Sequence, residues 1–158
     1  MKDKSLPPDH HVIRYVSPSR LRKDENQKVV GILHTAFERP ESHKGLSVTW
    51  LEYFSGVRPE QLTAAVQAIR ASDITPSKNG GFAVGNVKAI GMASAERHHK
   101  IRIIHWPVDD NKAHAELRQF PRDDQELFER LAVKEWSELV MNAGIVPGIK
   151  PAPDQPAN

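Results

Sequence analysis

Lys100-Ile101-Arg102-Ile103-Ile104-His105-Trp106 is the stretch on which the fold turns. It is short, rich in β-branched residues, ends on an aromatic, and is stopped by Pro107 and the acidic Asp109-Asp110, which reads as a strand closed by a turn. Across that turn, His114-Ala115-Glu116-Leu117-Arg118 is its antiparallel neighbour or a short helical turn. A hairpin here calls for other strands to complete a sheet.

Working outward, His11-Val12-Ile13-Arg14-Tyr15-Val16 reads as a first strand ended by Ser17-Pro18. Val29-Val30-Gly31-Ile32-Leu33 fits a strand or a helical start. Gly45-Leu46-Ser47-Val48-Thr49-Trp50 is a strand with Ser47 and Thr49 on one side, and Leu51-Glu52-Tyr53-Phe54 turns off it. Pro59 suits the first turn of a helix carrying Leu62, Val66 and Ile69 toward Arg70. Asn79-Gly80-Gly81 marks a turn and Phe82-Ala83-Val84 a strand, while Asn86 caps a helix through Val87, Ile90 and Ala93. The strongest helix opens at Asp123-Asp124, with acids at its positive end. Its stripe is Leu127, Phe128, Leu131, Ala132, Trp136, Leu139 and Val140, and Gly144 closes it. The expected fold class is α+β: a single domain over 9–145, with a mixed or mainly antiparallel sheet packed by a long C-terminal helix. A flexible leader (1–8) and a flexible Pro-rich tail (146–158) flank it.

Composition narrows the function. A chain of 158 residues can bury a core without staples, and with no cysteine it has neither disulfides nor thiolate chemistry. The opening eight residues lack the apolar run of a signal peptide, and no segment is apolar enough to span a bilayer, so a cytoplasmic protein without a membrane partner is expected. Lysine and arginine number 22 against 20 acids, which is too even a balance to point to nucleic acid by itself. Local basic runs remain, at Arg20-Leu21-Arg22-Lys23 and at Arg97-His98-His99-Lys100-Ile101-Arg102, and such runs are most often solvated loops. Arg97, Lys100 and Arg102 are the candidates for phosphate contact, with Trp106 available to stack on a base.

Of the eight histidines, His11, His105 and His114 stand where a sheet could assemble a site. The connection between His105 and His114 could bring the two imidazoles together, with Glu116 on the same face as His114 if that segment is extended. His11, Ser47, Thr49, His105, His114 and Glu116 are therefore the candidate catalytic set, offering a base, hydroxyls and a carboxylate. Two histidines and a carboxylate suit zinc or iron, but the spacing matches no compact metal motif, so no metal site is assigned. There is no Gly-x-Ser-x-Gly elbow, and Gly80, Gly81 and Gly85 lack the lysine and hydroxyl of a P-loop. No cofactor is identified.

Histidine or arginine on the first strand, serine or threonine on the second, and a late glutamate resemble the layout of ADP-ribosyltransferase-like folds. The resemblance implies that Glu116 polarises a ribose hydroxyl while His11 or Arg14, Ser47 and Thr49 grip NAD. The segments Asp9 to Tyr15, Gly45 to Phe54, His105-Trp106-Pro107 and His114-Ala115-Glu116 also resemble a set of small uncharacterised bacterial proteins. That likeness covers most of 9–121, implies one domain and a bacterial cytoplasm, and transfers no catalytic residue. The leading expectation is an accessory or recognition subunit with a protein partner, nucleic acid being the other macromolecule considered. Behind it stands an enzyme acting on a nucleotide or NAD-like substrate. Convergence of the candidate side chains in one pocket would reverse that order.

Overall fold

The computed structural model describes residues 4–145, so the tail expected over 146–158 lies outside the described residues. Its elements in chain order are β1 (Lys4–Ser5), β2 (His11–Val16), β3 (Leu21–Lys23), β4 (Val29–Ile32), β5 (Leu46–Trp50), α1 (Arg58–Ala71), β6 (Gly81–Asn86), α2 (Val87–Glu96), β7 (Arg102–His105), β8 (His114–Arg118), α3 (Gln125–Arg130) and β9 (Glu138–Met141). Seven strands form one sheet in the order β1-β7-β8-β5-β2-β6-β9, and β3 pairs with β4 separately. Every pairing in the large sheet is antiparallel. Of the two readings of 114–118, the strand is the one adopted: β8 pairs with β7, with Ile103 opposite Leu117 and Ile104 opposite Glu116.

Side-chain alternation along β2 assigns the two faces. Ile13 belongs to one core cluster with Phe82, Val84 and Leu51, and α1 covers it with Ala65, Val66 and Ile69. Val12 and Val16 face the other way, into a larger cluster with Leu46, Val48, Ala83, Ala115 and Leu117. α2, α3 and the β3-β4 hairpin close that side through Ile90, Leu127, Phe128, Leu21 and Ile32. Trp136 is fully buried there, against Phe37, and donates its indole N–H to the Ala83 carbonyl at 3.1 Å.

Local chemistry fixes the element ends. Asn86 Oδ1 accepts the Ala89 N–H at 2.8 Å, the N-cap expected for α2. At α1 the Glu60 carboxylate reaches back to the Val57 N–H at 3.0 Å, which satisfies one orphan donor of the first turn. Lys4 and Ser5, read from the sequence as part of a leader, pair with β7, and Leu6 beside them is buried.

The long C-terminal helix is a correction. α3 ends at Arg130 and continues only as a π-helical turn, Leu131–Glu135, after which β9 pairs with β6. Leu139 and Val140 thus belong to a strand, opposite Ala83 and Phe82, and Gly144 ends a short 3-10 turn. The apolar positions from Leu127 to Trp136 fit a helical stripe, but sheet pairing offers Leu139 and Val140 burial and backbone partners at once. No helix among the described residues is long and apolar enough to cross a membrane.

Candidate functional site

α1 packs on Ile13, Phe82 and Val84 and also touches β5, and a cleft opens beside its C-terminal end on the face that carries Ser47, Thr49 and His114. It encloses about 630 Å³ between the C-terminal end of α1, the 36–47 segment and the β7-β8 connection. Ser47, Thr49 and His114 line it, together with Tyr15, Arg14, Arg20 and Arg39.

The strand register explains which of the candidate side chains meet. Thr49 pairs with Ile13 on one side and His114 on the other, and Ser47 pairs with Glu116, so these side chains share one face. Glu116 stands beside the cleft, its carboxylate accepting from Arg118 Nε at 2.6 Å. His105 pairs with Ala115, and neighbours along β8 alternate, so His105 points away from His114. The expected meeting of the two imidazoles does not occur. His105 Nε2 donates to the Lys112 carbonyl at 2.8 Å and packs edge-on against Trp50. His11 lies on the cleft's face of the sheet but beyond the residues that line it. There its Nδ1 meets Glu52 at 2.5 Å, and its Nε2 lies 3.4 Å from Arg58. Of the six candidates, three line the cleft, one borders it and two lie elsewhere.

The basic-run residues part company too. Arg97 is held by Asp124 at 2.7 Å and by Glu126 at 3.1 Å, which leaves little charge for a phosphate. Lys100 is exposed, and Arg102 is exposed opposite Arg118. The Arg118 guanidinium lies 4.5 Å over the Trp106 ring, on a face that a base would need for stacking. Among the described residues no group of three or more His, Asp or Glu is placed to hold a metal ion.

The cleft's electrostatics centre on Arg14. Pairing between β2 and β5 stops at Ile13 and Thr49, and the Arg14 side chain bridges the gap beyond. Its guanidinium donates to the carbonyls of Ala36 (2.8 Å), Ser47 (2.7 Å) and Glu38 (3.0 Å). No carboxylate ion-pairs with it among the described residues. Burial, then the charges of Arg20 and Arg39, lower its pKa from 12.5 to about 10. Arg14 is half-buried and is among the residues that line the cleft.

Arg20 donates to the Thr35 carbonyl at 2.7 Å. Arg39 donates to the Phe120, Pro121, His43 and Lys44 carbonyls, and its own pKa is lowered by burial and then by Arg122. A guanidinium carries five N–H donors, so Arg20, bonded to one carbonyl, and Arg14, bonded to three, keep N–H groups for a ligand, while Arg39 keeps one. At the other end, His114 Nδ1 lies 2.7 Å from the Trp106 carbonyl. A carbonyl only accepts, so Nδ1 carries the proton and Nε2 is the basic nitrogen. Asn111 donates to Thr49 Oγ1 at 3.0 Å, and Tyr15 Oη accepts from the Ser77 N–H at 2.8 Å.

The sequence reading passed over Arg20, Arg39 and Asn111. Arg20 sat in a run read as a solvated loop, and Arg39 is brought in by a loop with no periodic signal. Arg14 carried a signal: a lone guanidinium inside an apolar strand. Comparison with protein-family models, with curated proteins and with solved structures returns no match.

Proposed function

We propose that the protein binds a small phosphate-bearing molecule in this cleft, gripping the anion with Arg14, Arg20 and Arg39 and presenting His114 as the base for chemistry on it. The observation that carries this reading is Arg14, a half-buried cation that no carboxylate among the described residues ion-pairs, with two further arginines beside it. Because its folded pKa lies below the unfolded 12.5, the charge is held less comfortably in the folded chain than in water, and it subtracts from stability at every pH below about 10. An anion bound against it removes that penalty, since an opposite charge favours the ionised form. Arginine also suits phosphate because its planar fork donates paired hydrogen bonds. His114 adds a basic nitrogen at the opposite end, its tautomer set by the Trp106 carbonyl. The recognition-subunit reading ranks behind this one, because Ser47, Thr49 and His114 converge on a cleft.

The test is thermal unfolding at low salt with pyrophosphate as probe. A ligand that binds only the folded state raises the midpoint with concentration. Pyrophosphate is expected to stabilise the parent protein, and Arg20→Gln, which disturbs only the bond to Thr35, is expected to abolish most of the rise. A midpoint indifferent to pyrophosphate overturns the reading.

A further inference from the structure

The cleft is polarised, with donors at one end and acceptors at the other, and we infer that its ligand is a sugar phosphate of the ribosyl class rather than a simple anion. This inference rests on the anion-binding reading above and names the substrate class for the same site.

The donor end is built where Arg14 meets the Ser47 carbonyl, with Arg20 and Arg39 beside it. The acceptor end is built around Thr49, two positions along the same strand and therefore about 7 Å away. His114 pairs with Thr49, and its Nε2 is a lone-pair acceptor because Nδ1–H is committed to the Trp106 carbonyl. Asp110 lines the same end, and only its Oδ2 is taken, by the Asp73 N–H at 3.0 Å. The intervening Thr49 and Asn111 are both buried and bonded to each other, and Asn111 Oδ1 also takes the Ala113 N–H at 3.1 Å. That network, with the His114 N–H on the Asn111 carbonyl at 3.1 Å, holds the backbone between Asp110 and His114 in place.

Inorganic phosphate would fill only the donor end and would make no use of the His114 imidazole or of the exposed Asp110 carboxylate at the other. A ligand with hydroxyl donors at a sugar's distance from its phosphate satisfies both ends together. Vicinal hydroxyls suit a carboxylate in particular, since each oxygen accepts one O–H. Ile69, Ile74 and Val108 line the cleft as well and give the ligand's carbon skeleton an apolar wall. The volume of about 630 Å³ lies in the range of small-molecule sites and far exceeds what a lone phosphate occupies.

Titration calorimetry on the full chain separates the possibilities, with inorganic phosphate, ribose 5-phosphate, 2-deoxyribose 5-phosphate and phosphoethanolamine as probes. Ribose 5-phosphate is expected to bind at least about tenfold tighter than inorganic phosphate, the deoxy sugar giving up much of that gain. Asp110→Asn should weaken ribose 5-phosphate several-fold more than it weakens inorganic phosphate, while Arg20→Gln should weaken both. Equal, arginine-dependent binding of ribose 5-phosphate and inorganic phosphate overturns the sugar inference and leaves the anion reading standing. Preference for phosphoethanolamine overturns it in favour of an aminated ligand. If no probe binds, both readings fall together.

Discussion

At Gly85 a methyl group would lie 2.7 Å from Trp136 Cδ1 and 2.8 Å from Ile90 Cδ1. Neither neighbour has room to retreat: both are fully buried, and the indole is fastened to the Ala83 carbonyl. Gly85→Ala is therefore expected to cost about 1–3 kcal/mol through overpacking, read as a lower midpoint in denaturant with an unchanged slope. The same scale holds the most legible part of the candidate site. Ser47 and Thr49 share a face because strand periodicity requires it, and the reading of β5 was enough to say so. His105 and His114 were harder, because their separation depends on the pairing register and not on the spacing. One shift in the hairpin would reverse which of them points into the cleft.

Among the elements, α3 depends on a single capping side chain. Asp124 accepts the Leu127 N–H at 3.2 Å and at the same time binds Arg97 and His99. Arg97, followed by His99 and the Leu127 N–H, holds its carboxyl at about 2, below the ordinary 3.8, despite partial burial. A carboxylate with a depressed folded pKa stabilises fully above its unfolded value, and that contribution is lost as pH falls through 3.8 toward 2. Asp124→Ala is expected to lose about 1–2 kcal/mol at neutral pH from the cap alone. The gap between parent and variant should close toward pH 2, which chemical unfolding at a series of pH values will measure. Beyond α3 the sequence was misleading for a physical reason. Leu139 and Val140 continue the helical spacing of Ala132 and Trp136, yet they also suit β6, which lacked a partner on its outer side. Periodicity ranks local arrangements only, and this choice was made by a strand distant in sequence. β2, β5 and β7 had no such rival and fall where composition and alternation place them, while β8 takes the strand form of the two that its sequence allowed.

At the scale of the whole molecule, the sheet ends on one side, among the described residues, at β1, Lys4–Ser5. It covers the free edge of β7, and Leu6 follows it into the core with its N–H on the Ile103 carbonyl at 3.0 Å. An uncovered edge is a template for pairing with another chain. Deleting residues 1–6 is expected to lower stability by about 2–4 kcal/mol, mostly through the lost Leu6 side chain. It is also expected to promote self-association, seen as a mass in light scattering that grows with concentration; a deletion variant that stays monomeric and equally stable would show that β1 protects nothing. The three tryptophans carry an optical consequence of this architecture. Trp136 is sealed from solvent, whereas Trp50 and Trp106 are half-buried, and the carbonyl of Trp106 holds His114 at the cleft. Iodide should quench only the latter two, leaving a blue-shifted residual emission from Trp136, so that one fluorescence experiment reports the integrity of the core apart from the half-buried surface.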